Sequence, residues 1–333
     1  TQSRSSAASD VYKRQIQGYT VQKLSSDPTA SKAEGQLWYN SSSGKFKIAV
    51  AGAGVWATGG SLNAGRSYGV GTGTNTAALF AGGQPPYTAA VEEYDGTSWT
   101  ETAYLNTGRS NATGQGTQTA SLFAAGSTPP VSALTETWNG TSWTEVNNIN
   151  TARYGLGGAG TSTAALAMGG KEPTADLVEE WDGTSWTEIA DLGTARYYLT
   201  GFGTTTAAIA ATGNIPGSPY SAITESFDGT SWTEVNDVNS ARQNAGSSGS
   251  QTAGVLFGGE TFPYAITGAT NTWDGTSWAV GNPLATARYG LQDGSIGTAS
   301  ATLGIGGTPV PAAGAATEEW DGAPVTAKTV TVS

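Results

Sequence analysis

Cysteine and histidine are both missing from the 333 residues, and methionine occurs once. Without cysteine there is no disulfide, no thiolate nucleophile and no Cys-ligated zinc. Without histidine the commonest metal ligand and general base are gone. Charged residues make up only 12%, which suits a β-protein with many turns better than a helical one. No run of about 18 apolar residues occurs, so no segment reads as a membrane-spanning helix. The first residues also lack the apolar stretch of a signal peptide. Charge is spread unevenly. Residues 1–55 carry seven Lys/Arg against three acids, whereas residues 56–322 carry seven against 23. A body this acidic argues against nucleic acid as a partner and against insertion into or binding to anionic membrane.

Glycine is abundant at 48 residues, and its positions recur. Trp181-Asp182-Gly183-Thr184-Ser185-Trp186 returns as Tyr94 to Trp99, Trp138 to Trp143, Phe227 to Trp232 and Trp273 to Trp278, then breaks off at Trp320-Asp321-Gly322. Asp-Gly between aromatic or apolar runs marks a tight turn joining two strands, because Gly takes positive φ freely and Asp tolerates it. The turn acids are Asp95, Asp182, Asp228, Asp274 and Asp321, with Asn139 in the second copy. One arginine keeps the same period, at Arg66, Arg109, Arg153, Arg196, Arg242 and Arg288. After each comes a Gly/Thr/Ala-rich run, then an apolar strand ending in a small pair such as Gly82-Gly83. A loop of changing length follows, then an acidic strand, the Asp-Gly turn and a Trp-led strand. Four short strands in about 45 residues is the arithmetic of a β-propeller blade.

These features resemble the kelch repeat: the Gly-Gly pair closing a second strand, the aromatic after an acidic third strand and the Trp opening the fourth. Ala125-Gly126 and Thr212-Gly213 depart from the Gly-Gly pattern. The Trp-Asp-Gly-Thr-Ser-Trp form, with Gly35-Gln36-Leu37-Trp38-Tyr39-Asn40, is similar to kelch-like tail-associated proteins of marine bacteriophages. The resemblance implies an all-β, six-bladed kelch-type propeller located in a virion. With no histidine or cysteine and with acids spread evenly by repeat, the expected function is non-catalytic binding without cofactor or metal; by the resemblance the partners are a host-surface glycan or protein and other tail proteins.

The expected organisation is a disordered leader over 1–15, a hairpin or attachment region over 16–54, the propeller over 55–322 and a C-terminal strand or tail over 323–333. Trp56 precedes Arg66 by the same ten residues that separate Trp143 from Arg153. Val55–Thr58 is therefore a fourth strand with no preceding three, and it is expected to complete the last blade and close the ring. Val325 holds the spacing of the missing Trp and competes for that edge or adds an outer strand.

Trp56, Trp99, Trp143, Trp186, Trp232 and Trp278 open the fourth strands. One per unit suits packing between blades better than six sugar platforms. For the six arginines two readings stand: an anion or carboxylate site ringing the channel mouth, or a repeated buried ion pair or carbonyl clamp. Glu92, Glu136, Glu179, Glu225 and Glu318 keep step with them, with Asn271 in the fifth unit. The loops after the small pair vary, and Tyr87, Tyr220, Phe262 and Tyr264 on them are the candidate ligand-binding residues. An alternative function is a carboxylate-based glycan-active enzyme, which needs two acids about 5–10 Å apart near the channel mouth; Glu172, Glu260 and Asp293 are its candidates. A purely structural virion protein is the remaining alternative.

Overall fold

The computed structural model describes residues 22–24, 37–51, 54–172, 175–291, 296–309, 314–322 and 325–329. All regular elements among them are β-strands, as the turn-rich composition requires. The chain divides into two units, residues 54–322 and residues 1–53 with 323–333.

The smaller unit holds β1 (Gln22–Leu24), β2 (Leu37–Asn40) and β3 (Lys45–Ala51). β2 and β3 form the expected hairpin, pairing Leu37 with Ile48 and Asn40 with Lys45, while β1 lies parallel to β2. Val325–Thr329 pairs antiparallel with β3, Val325 opposite Ala51. It therefore belongs to this sheet and does not compete for an edge of the last repeat. The expected leader over 1–15 lies outside the described residues.

The larger unit begins with β4 (Val55–Thr58). Its first sheet is β5 (Val70–Thr74), β6 (Ala77–Ala81), β7 (Val91–Tyr94) and β8 (Trp99–Glu101). The second is β9 (Thr113–Thr117), β10 (Ala120–Ala124), β11 (Thr135–Trp138) and β12 (Trp143–Val146). The third is β13 (Gly157–Gly160), β14 (Ala165–Met168), β15 (Val178–Trp181) and β16 (Trp186–Glu188). The fourth is β17 (Thr200–Thr204), β18 (Ala207–Ala211), β19 (Thr224–Phe227) and β20 (Trp232–Val235). In the fifth, a short hairpin, β23 (Glu260–Thr261) and β24 (Ala265–Ile266), interrupts β21 (Gly246–Ser250), β22 (Ala253–Phe257), β25 (Thr270–Trp273) and β26 (Trp278–Gly281). The sixth has β27 (Ala301–Ile305) and β28 (Thr317–Asp321), and β28 pairs with β4, Trp320 opposite Trp56. Repeated antiparallel four-stranded sheets in chain order fit a β-propeller.

The motif residues explain the local geometry. In four of the turns the aspartate carboxylate accepts from two backbone amides, and in the second turn the Asn139 amide oxygen does so; Asp182 takes those of Thr184 and Ser185, both at 2.8 Å. The following glycine holds φ between 91° and 94° in all five complete copies. At the small pair both residues have positive φ. The first sits at 61–67° and admits Ala125 and Thr212; the second sits at 105–110°, and all six units have glycine there. Only the second position excludes a β-carbon outright.

Hydrophobic cores lie between successive sheets. Val70, Leu79 and Val91 of the first pack with Phe123, Trp138 and Trp143 of the second. Ile296, Leu303 and Ile305 of the sixth unit pack with Phe80, Tyr94 and Trp99 of the first. The fourth-strand indoles knit neighbours: Trp186 donates to Thr135 Oγ1 at 3.1 Å, Trp278 to Thr224 Oγ1 at 3.1 Å and Trp56 to Thr270 Oγ1 at 2.9 Å. The aromatics at the turn stems also face each other, with Trp181 and Trp186 ring centroids 5.5 Å apart.

Two cycles of backbone hydrogen bonds run through all six units. The residue two after each arginine donates to its counterpart in the preceding unit: Asn111 to Tyr68, Gly155 to Asn111, Tyr198 to Gly155, Asn244 to Tyr198, Gly290 to Asn244, and Tyr68 back to Gly290. The second glycine of each small pair donates to the arginine carbonyl of the next unit, from Gly83 to Arg109 onward, and Gly307 returns the cycle to Arg66. Amides that strand pairing leaves free are thereby satisfied across unit boundaries.

Candidate functional site

Each arginine lies on the connection from a fourth strand to the next first strand. The structure places these side chains inside the protein. Arg109, Arg153, Arg196, Arg242 and Arg288 are 0% exposed and Arg66 is 2% exposed. Arg66, Arg109 and Arg153 pair with Glu92, Glu136 and Glu179. Arg196 meets Glu225 at 2.7 Å and Arg288 meets Glu318 at 3.1 Å. Carbonyls complete the set: Arg109 Nε donates to Ala125 O at 3.0 Å and Nη2 to Phe123 O at 3.2 Å. Both carbonyls lie at the end of a second strand, where the positive-φ pair breaks the ladder. The second oxygen of the glutamate is also used, since Glu136 Oε2 accepts from the Asn106 amide and side chain, both at 2.8 Å. Ion pair and carbonyl clamp are thus one device, and the arginines present nothing to a ligand. They are corrected from candidate binding residues to buried cross-links.

Arg242 differs from the rest. Its partner is the neutral side chain of Asn271, and burial without a compensating carboxylate pulls its pKa down to about 10. Burial also lowers Arg109, Arg153, Arg196 and Arg288, but there a glutamate opposes it.

The variable loops behave differently. The fourth unit's loop and the fifth unit's β23–β24 hairpin meet in an open cleft of about 400 Å³, lined by Tyr197, Asn214, Ser218, Tyr220, Phe262 and Tyr264 with Gly217 and Pro219. Three of the four expected aromatics are therefore together. Phe262 is 63% exposed and Tyr264 76%. The rings of Tyr220 and Phe262 stand at 88° with centroids 6.3 Å apart. Tyr264 holds φ at +63°, a costly conformation for a bulky side chain. Tyr87 is not part of this group; its hydroxyl lies 3.4 Å from Ser127 Oγ between the first and second units.

A buried network backs the cleft. Asn214 Nδ2 donates to Gln243 Oε1 at 3.2 Å, and Gln243 Nε2 donates to Glu260 Oε2 at 2.9 Å. Tyr220 donates its hydroxyl to the same oxygen at 2.8 Å. Burial and this carboxylate push the Tyr220 phenol well above its usual range, so it stays protonated. Glu260 is 7% exposed and its side-chain partners are uncharged. Tyr197, Asn214 and Gln243 were not singled out from the sequence. The available signal was variability inside the repeat: the residue after each arginine reads Ser67, Ser110, Tyr154, Tyr197, Gln243 and Tyr289.

Toward the hydrogen-bonded cycle, Tyr68 and Tyr198 fold over Gly290 and Gly155. A β-carbon there would lie 2.8 Å and 2.6 Å from those rings. Glu172 is exposed on the third loop, and Asp293 lies outside the described residues. Among the described residues no group of three or more acids could hold a metal, and no helix is long and apolar enough to cross a membrane.

A second cleft, about 380 Å³, lies at the seam of the first and sixth units beside Asn75, Ala301 and Trp320. At the matching position Gln118 reaches Tyr94 O at 2.8 Å and Gln251 reaches Phe227 O at 2.6 Å. Asn75 is one methylene shorter than these glutamines. No family model matches the chain, and no curated protein matches it.

Proposed function

We propose that residues 54–322 form a closed six-bladed propeller of kelch type that binds a partner through its loop face and catalyses nothing. The two cycles of backbone bonds and the pairing of β28 with β4 support closure. One observation carries the binding reading: the loops of two neighbouring units converge on a cleft with four aromatics, two of them largely exposed. Exposed aromatics clustered on loops of a rigid scaffold mark a surface that a partner covers. By the resemblance of the Trp-Asp-Gly-Thr-Ser-Trp repeats, the setting is a phage tail, the partner a host-surface glycan or protein, and the basic N-terminal region contacts other tail proteins.

Adsorption of fluorescently labelled protein to intact bacterial cells tests this. Binding that falls at least about tenfold in a Phe262→Ala/Tyr264→Ala variant supports it. Equal adsorption by both proteins, or turnover of chromogenic glycosides, removes it.

A further inference from the structure

On the premise that the loop face binds, we infer that the cleft between the fourth and fifth units takes a neutral pyranose ring, stacked on Phe262 and Tyr264 with its hydroxyls turned toward Asn214 and Tyr220. The lining carries no formal charge: Tyr197, Asn214, Ser218, Tyr220, Phe262 and Tyr264 are all neutral side chains. The carboxylate of Glu260 is buried, hydrogen-bonded to Tyr220 and Gln243. The Lys171 ammonium is held over the Tyr154 and Tyr197 rings, 5.4 Å from the Tyr197 centroid, so an anionic sugar brought here meets that carboxylate and one cation, in a unit where 23 acids stand against seven cations. Its desolvation and its repulsion from Glu260 and the acidic unit weigh against it, and Lys171 is already engaged on the tyrosine faces. A cation would find the carboxylate screened by the donors already bound to it.

The network also fixes which polarity each group offers. Tyr220 spends its only proton on Glu260, so its oxygen can only accept. Asn214 uses one amide proton on Gln243, leaving Oδ1 to accept and a second N–H to donate. Two acceptors and one donor beside an aromatic wall suit the adjacent hydroxyls of a sugar. The apolar C–H face of the ring lies against the electron-rich ring faces. The volume, about 400 Å³, falls in the lower part of the range for small-ligand sites.

The test is a printed array of neutral oligosaccharides ending in glucose, galactose, mannose or N-acetylglucosamine, with sialylated, sulfated and free-amine counterparts, followed by calorimetric titration of the best neutral probe. Wild-type protein is expected to bind neutral probes. Tyr220→Phe should weaken binding about three- to tenfold, the loss of one acceptor, and Phe262→Ala or Tyr264→Ala at least about tenfold. Both aromatics are largely exposed, so these variants stay folded. Binding only to sialylated, sulfated or amine-bearing probes overturns the neutral-sugar inference and leaves the loop-face reading standing. Aromatic-dependent adsorption to cells with no array binding overturns the sugar and leaves a protein partner. Loss of neither adsorption nor array binding in the aromatic variants overturns both.

Discussion

The arginine cross-links and the loop cleft are built from the same repeat, yet they differ in every respect that bears on use. Six arginines occupy equivalent places, are buried, and spend their donors on glutamates, an asparagine and carbonyls within the protein, with Nε of Arg242 and Arg288 left over. Among the described residues the cleft lies at the junction of the fourth and fifth units, is open, and holds two aromatics, Phe262 and Tyr264, that stay largely exposed. A charge that recurs once per unit is a joint, because each unit faces the same problem of ending a second strand beside the next unit. A group that occurs once solves no problem common to all the units. Stability should therefore respond to the first region and binding to the second.

Removing one half of a cross-link should produce the largest effect. Glu136→Ala leaves Arg109 charged and unpaired at 0% exposure, and should cost about 3–5 kcal/mol in urea unfolding. A loss below about 1 kcal/mol would show that the buried pairs are not joints. Completing the defective one should work in the opposite direction. Asn271→Glu gives Arg242 the carboxylate that its five counterparts have, and should add about 1–2 kcal/mol. The sign follows from the pKa near 10. The burial penalty on the charged form is present in full below that value and lifts only as pH rises from about 10 toward 12.5, so the gain is complete at neutral pH. A lower melting temperature in this variant would break the equivalence of the six positions.

The turns supply a smaller, pH-dependent effect. Hydrogen bonds from Thr97, and then from the Ser98 amide, hold Asp95 down to about 2; the Ser277 amide, with Thr276, does the same for Asp274. A lowered carboxylate pKa adds stability above its unfolded value near 3.8 and loses it as pH falls toward 2. Asn139 already makes the same turn without a charge, accepting from Thr141 N at 2.9 Å. Changing Asp95, Asp182, Asp228 and Asp274 to Asn should therefore keep the fold and flatten the fall of melting temperature between pH 4 and pH 2. An unchanged slope would locate acid sensitivity elsewhere. The smallest stability effect belongs to the cleft: Tyr264→Ala should shift unfolding by no more than about 0.5 kcal/mol. A large loss there would make Tyr264 a packing residue and erase the contrast.

Much of this was legible in advance. The Asp-Gly turns, the aromatic pair at each stem, the use of Val55–Thr58 as a fourth strand and the in-step Arg and Glu positions all follow from a repeated sequence, because repetition makes local chemistry and spacing visible several times over. Two matters were not. Val325 has the spacing of a fourth-strand Trp, but Val325–Thr329 pairs with β3; the choice between two available edges depends on which partner lies alongside. Nor did the sequence join Tyr197 of the fourth unit to Gln243 and Glu260 of the fifth: Glu260 was a candidate for another role, and the variable residue after each arginine did not say which units would share a site.

The sequence by itself determined the strand period, the turn chemistry and the alternation of buried and exposed positions, all of which depend on residues close in the chain. Only the tertiary structure decided that the arginines face inward to their glutamates, and that the fourth and fifth loops converge while the first stays apart. Both outcomes depend on where separate units meet, and that geometry is set by packing between sheets.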